Sequence, residues 1–269
     1  MKGEMKRAVV VFFVVLLAAT FLTLLHTPEA HATTNTRVFT SLTYDGFCSY
    51  FSSTDYDTVH DATSGDSYSV SGENMYVGQG HGETYFIYRS YLYFDTSLLP
   101  DNANITEAVL SIYISSDYSQ TDFNVTVQSG QPTYPHQPLQ ISDYYYGYYT
   151  GNGGSRNTTE ISGTGYWNIT LNSEGRSWIQ KDGITKLCLR SSQDINSQAP
   201  SQSEYIKFYA LEHGQAYAPK LYVSYEYEGT TYIFYGPFNE NTGLKEGNIT
   251  VWVYPADATP YNFTLDGEE

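Results

Sequence analysis

The sequence predicts an all-β protein: an antiparallel β-sandwich, jelly-roll-like, with one short helix and a C-terminal β appendage or partial immunoglobulin-like domain. Three observations carry this expectation. Tyr supplies 28 of 269 residues and, with Val and Thr, suits extended backbone better than helix. Short stretches alternate apolar and polar side chains, with turn residues between them. Helical spacing is confined to one brief segment, 174–180.

Residues 1–32 read as an export address. Lys2, Lys6 and Arg7 precede an uncharged run from Ala8 to Leu25, and Ala30-His31-Ala32 offers small residues for cleavage. The chain is either cut after Ala32 or held by a retained N-terminal anchor. Both outcomes place the remainder outside the cell or on its surface. Six Asn-x-Ser/Thr triplets, at Asn104, Asn124, Asn157, Asn168, Asn248 and Asn262, agree with export and are candidate glycosylation sites.

Residues 33–67 are polar, aromatic and turn-rich. Strands are expected at 38–44, 68–70 and 74–77. The strongest strand signal is 84–95, where Phe86, Tyr88, Ser90, Leu92 and Phe94 share one face and Tyr85, Ile87, Arg89, Tyr91 and Tyr93 the other. Apolar character on both faces marks a central strand covered twice, or one whose outer face a loop caps. Leu98-Leu99-Pro100-Asp101 breaks it. In 108–115, Ala108, Leu110, Ile112 and Ile114 point inward, and Phe123, Val125 and Val127 repeat the pattern. Residues 130–165 differ: three prolines, five tyrosines within 144–149 and Gly151-Asn152-Gly153-Gly154 exclude a continuous central strand, leaving a long loop over one face. Order resumes with a strand at 166–171 and a helix at 174–180 capped by Ser173. Further strands follow at 184–191, 205–210 and 220–227. The tail, 229–269, holds candidate strands at 232–235, 248–254 and 261–265. It is too short to bury a comfortable core alone, so β-pairing with a further domain or another chain is an expected partner interaction.

Composition limits the partners. Thirteen Lys and Arg against 29 Asp and Glu give a net charge of -16, which argues against nucleic-acid binding. Two cysteines cannot form a four-thiolate metal site.

Strings along the chain resemble the DNRLRE domain, a family related to disaggregatase repeats and alginate-binding carbohydrate modules. They are Arg89-Ser90-Tyr91-Leu92-Tyr93-Phe94-Asp95, then Leu98-Leu99-Pro100, then Ile105 through Ile114. Trp167-Asn168-Ile169-Thr170, Trp178-Ile179, Leu187-Cys188-Leu189-Arg190-Ser191 and Ala218-Pro219-Lys220-Leu221 continue the likeness, which covers about 39–228. The resemblance implies the β-sandwich over 33–228. The Tyr144–Tyr149 segment departs from the tryptophan-rich region that family members often carry there.

The tyrosine segment is the leading candidate for function. Sugar rings present apolar faces and hydroxyls, and tyrosine offers an amphipathic ring with a polar tip. Tyr134, Tyr144, Tyr145, Tyr146, Tyr148 and Tyr149, with Asp143 and Asn152, are the candidate ligand-binding residues, unless the rings only pack over the sandwich. Asp55, Asp57 and Asp61, with Asp66 nearby, supply hard oxygen ligands that suit structural Ca²⁺ or simply form a solvated loop. No other cofactor is implied. Asp95 and Glu107 are a weak acid–base pair, and no nucleophile elbow or phosphate loop is present. Arg89 meets a carboxylate elsewhere or lies across Tyr91. Cys48 and Cys188 are expected to form a disulfide, the alternative being two separate thiols. The reading is a non-catalytic, secreted or cell-surface carbohydrate-binding or adhesion module whose partner is a polysaccharide or cell-envelope glycan. Its alternatives are a structural cell-envelope or filament subunit and, less favoured, a polysaccharide-degrading enzyme.

Overall fold

The structure, a computed structural model, describes residues 31–53, 55–234 and 249–253. Thr34–Tyr227 form one compact unit, and the described residues on either side of it group into a second. The strands are β1 (His31–Thr40), β2 (Gly46–Ser53), β3 (Ser67–Ser69), β4 (Asn74–His81), β5 (Tyr85–Asp95), β6 (Asn104–Ser119), β7 (Asn124–Gln128), β8 (Ser155–Asn157), β9 (Gly165–Thr170), β10 (Ile184–Ser191), β11 (Glu204–Tyr209), β12 (Lys220–Phe234) and β13 (Ile249–Val253). Short α-helices among the described residues are α1 (Tyr56–His60), α2 (Ser173–Ser177) and α3 (Ser192–Ile195). In the second unit, Thr230–Phe234 of β12 pair antiparallel with Ile249–Val253 of β13.

The main unit is a curled antiparallel sheet in the order β1-β12-β6-β11-β4-β5-β10-β7-β8, with β9 on β6 and with β2, then β3, on β5. Two long strands make the curl. Tyr88 of β5 pairs with Ser49 of β2 and with Gly78 of β4, and Tyr91 pairs with Gly46 of β2 and with Cys188 of β10. One edge of β5 therefore serves β2, while β4 and β10 share the other. In β6, Ser111 pairs with β12 and β9, and Ile114 with β11 and β9, so β11 and β12 share an edge. A strand that changes partners along one edge carries the sheet around a corner.

The curl encloses the larger apolar cluster. Leu92, Phe94, Leu110, Ile112, Ile114, Leu187, Leu189, Phe208 and Val223 are all buried there, as alternation predicts, and Trp178 is half-buried against it. Burying each such side chain contributes about 1.5–3 kcal/mol. A smaller cluster of Cys48, Tyr56, Val59, Ile87, Tyr91, Tyr93, Leu139, Tyr144, Tyr149 and Cys188 lies on the opposite face of β5, beneath the 130–150 loop. The central strand is thus covered twice, with a loop as the second cover.

Several local expectations change. Gly46–Ser53 is a strand where the sequence reads as turns. Its alternation is obscured because Phe47 and Phe51 lie on one face and buried Cys48 on the other. The helix after β9 is capped by Asn172, whose side chain accepts from Gly175 N, and it ends at Ser177, ahead of Trp178. The helix α1 falls inside the acidic stretch.

The expected disulfide does not form: Cys48 and Cys188 are buried, free thiols. Cys48 pairs with Arg89 on one edge of β5, and Cys188 with Tyr91 on the other. Two inter-strand spacings of about 4.8 Å across β5 and a two-residue offset along it separate them by about 12 Å, beyond disulfide reach. Burial raises both thiol pKa values, so neither is a reactive thiolate.

The expected export segment through residue 30, the candidate strand at 261–265, and Asn248 and Asn262 lie outside the described residues. Asn104, Asn124 and Asn168 are exposed. Asn157 is half-buried and donates its Nδ2 to Asn124 Oδ1 at 3.0 Å.

Candidate functional site

Two aromatic regions lie on opposite faces of β5. The first is the covered face, where most of the sequence candidates reside. Tyr144 and Asp143 are 0 % exposed and Tyr149 3 %. The Tyr144 hydroxyl donates to Val59 O at 2.7 Å, and its ring lies 4.2 Å from the Arg89 guanidinium carbon. Asp143 accepts from His136 N at 3.0 Å and from Gln140 N at 2.8 Å, closing the turn that holds the loop. Tyr134 and Tyr148 stack at 3.6 Å and are half-buried, as are Tyr145 and Tyr146. Asn152 is exposed, and its carbonyl accepts from Asn172 Nδ2 at 2.6 Å. The segment is a packed cover with a half-exposed rim.

Under the cover sits a buried ionic cluster. Arg89, neither bridging to Asp95 nor lying across Tyr91, donates Nη2 to Asp194 Oδ1 at 2.6 Å and Nε to Oδ2 at 2.9 Å. Arg190 donates Nε to Asp194 Oδ2 at 2.7 Å and Nη1 to Gln128 Oε1 at 3.0 Å. The remaining Arg89 donors reach Tyr144 O and His60 O. Burial alone would raise the Asp194 pKa, but Arg190 and Arg89 outweigh it and hold the carboxylate far below its usual range. Tyr146 lies over His60 at 4.7 Å and within 6 Å of both guanidinium groups. Asp194 was not singled out from sequence, although Ser191-Ser192-Gln193-Asp194 carries a helix-start pattern and the Ser191 side chain does accept from Asp194 N.

The acidic candidates are dispersed into separate local roles. Asp55 caps α1, accepting from Thr58 N at 3.1 Å and Thr58 Oγ1 at 2.7 Å. Asp57 is exposed in the first turn of that helix, Asp61 faces His60 Nδ1 at 2.6 Å, and Asp66 accepts from Phe51 N. Among the described residues no group of three or more His, Cys, Asp or Glu side chains is placed to hold a metal ion. Asp95 caps a turn by accepting from Ser97 Oγ at 2.6 Å, and Glu107 is exposed elsewhere.

The second aromatic region is open. Phe47 and Phe51 of β2, Phe86 and Tyr88 of β5, Tyr76 of β4, Tyr205 of β11 and Tyr118 of β6 touch ring to ring across five adjacent strands. Tyr76 and Tyr88 stack at 5.0 Å, Phe51 and Phe86 at 5.5 Å, and Tyr118 and Tyr205 at 4.9 Å. Phe51 is 36 % and Tyr118 45 % exposed, and the other five are half-buried. Glycine makes room for this layer. Gly78 has φ +129, and a Cβ there would strike Glu204 O; a Cβ on Gly80 would strike the Phe86 ring.

No hydroxyl of Tyr76, Tyr88, Tyr118 or Tyr205 bonds to another described residue. Burial, together with neighbouring phenols, raises the pKa of Tyr88 and Tyr205, so these rings stay neutral. The platform escaped the sequence reading because its rings come from five strands, and only the register brings them together. The shared face of Phe86 and Tyr88 in 84–95 was its one visible sign. No family model matches the chain, and no curated protein matches it.

Proposed function

We propose that the protein is a non-catalytic carbohydrate-binding module of a secreted or cell-surface protein, and that the open aromatic platform is its binding surface. The observation that carries this reading is the set of seven touching, partly exposed rings whose tyrosine hydroxyls have no partner among the described residues. Such a surface offers flat apolar faces for sugar rings, with hydroxyls beside them to exchange hydrogen bonds. The all-β scaffold, without a metal-ligand group among its described residues, agrees with a binding or structural module. Within this proposal the curled sheet is read as jelly-roll-like, with β5 and β6 as its corners, and the DNRLRE likeness supplies the family hypothesis.

The test is a glycan array probed with the full exported chain and with a Tyr88→Ala/Tyr205→Ala variant. Retention of one glycan class, reduced by about 1–3 kcal/mol in the variant, is the expected result. A Tyr145→Ala/Tyr148→Ala variant, altering only the rim of the cover, should retain the glycan. Binding lost through the rim and kept without the platform rings would overturn the assignment of the site. No retention of any glycan would overturn the function.

A further inference from the structure

The platform does not end at Tyr205. On β11, Tyr205, Lys207 and Tyr209 alternate with the buried Ile206 and Phe208, so all three face the same way. Tyr209 opens a second aromatic patch: it stacks on His213 at 3.6 Å and lies 5.7 Å from Tyr113, which contacts Tyr166 at 5.1 Å and Tyr217 at 4.9 Å. Tyr166 and Tyr217 are 39 % and 38 % exposed. Four residues of extended chain put Tyr205 and Tyr209 about 13 Å apart.

Lys207 lies between the patches, opposite Tyr76 on β4 and Ser116 on β6. Among the described residues its ammonium has no acidic partner. Lys207, together with Lys220, whose ammonium lies 4.6 Å from the Tyr166 ring in the second patch, cannot offset a chain net charge of -16 for a polyanion, whereas the Lys207 ammonium can donate hydrogen bonds to hydroxyls.

We infer that the surface takes an uncharged polysaccharide lying along β11, contacting both aromatic patches at once, with Lys207 donating to hydroxyls between them. This rests on the carbohydrate-binding reading and specifies its ligand as neutral and extended. Two patches on one rigid strand engage a single chain, so affinity must grow with ligand length until both are filled.

The experiment measures binding of the full exported chain to trimers and hexamers of neutral glucan, mannan and xylan, with oligogalacturonate as the acidic probe, at low and high salt. A hexamer should bind about tenfold more tightly than its trimer, with little salt dependence. Tyr209→Ala should bring the hexamer down to trimer affinity, while Tyr209→Phe, which keeps the ring, should not. Equal affinity for trimer and hexamer overturns the continuous surface and leaves the function standing. Binding only to oligogalacturonate, weakened by salt, overturns the neutral ligand and again leaves the function standing. No binding to any probe overturns this inference, and the glycan array then decides the function itself. A denaturant midpoint for each variant separates lost binding from lost folding.

Discussion

The two faces of β5 use the same residue type for opposite ends. On the covered face, three tyrosine hydroxyls are anchors: Tyr91 donates to Asp143 O at 2.6 Å, Tyr144 to Val59 O at 2.7 Å, and Tyr93 to His136 O. Each bond ties β5 or the loop to a distant backbone segment. On the other face, at the end of β5 beyond the main core, Tyr76 and Tyr88 touch other rings, and their hydroxyls find no partner among the described residues. Tyrosine density alone therefore does not mark a binding surface. Whether anything lies over the ring distinguishes a packing tyrosine from one that is available, since covered Tyr149 is 3 % exposed although its hydroxyl has no partner among the described residues.

The sharpest way to break this contrast is to remove the charge that anchors the cover. Asp194→Asn leaves Arg89 and Arg190 buried without their counter-charge, and the loss should be about 3–5 kcal/mol in denaturant unfolding. The sign of the pH dependence follows from the lowered Asp194 pKa. Its stabilisation is fully present above the ordinary carboxylate pKa of about 4 and is lost as pH falls below it. An unfolding free energy unchanged in the variant would mean that the cluster does not hold the cover.

Hydroxyl removal then compares the two faces directly. Tyr144→Phe orphans a buried carbonyl and should cost about 1–3 kcal/mol. Tyr88→Phe removes a hydroxyl with no partner among the described residues and should stay within about 0.5 kcal/mol. Equal costs would erase the distinction between the faces.

A smaller effect, of opposite sign, is expected at Asp45. Its Oδ1 accepts from Tyr93 N at 3.0 Å, and the carboxylate is buried beside the Ser41 hydroxyl. Burial raises its pKa well above the usual value, so stability associated with Asp45 is present in acid and declines as pH rises above about 4. Asp45→Asn keeps the acceptor for Tyr93 and removes the ionisation. It should stabilise the fold by of order 1–2 kcal/mol at neutral pH and flatten the pH profile there. A less stable variant at pH 7 would show that the carboxylate is needed as such.

Much of the scaffold is legible in the chain. The alternation in 84–95 and 108–115 identifies β5 and β6, their inward residues, and the fact that β5 is apolar on both faces. The prolines and glycines of 130–165 mark a loop, and a loop does cover the outer face of β5. The ionic cluster was less legible: Arg89 could be seen to need a carboxylate, but Asp194 is 105 positions away. The cysteines fail for a related reason. Cys188 could be assigned to its strand, but the segment around Cys48 reads as turns, and the strand lying between the two is a matter of pairing order.

What the sequence by itself determined was local: strand periodicity, turn positions, the acidic charge and the abundance of tyrosine. These depend on neighbours within a few residues, where backbone sterics and alternating burial act directly. Only the tertiary structure decided which tyrosines are covered, that Cys48 and Cys188 stay apart, and that rings from β2, β4, β5, β6 and β11 meet in one platform. Those outcomes depend on strand order and register, where a shift of one residue would turn every ring to the opposite face.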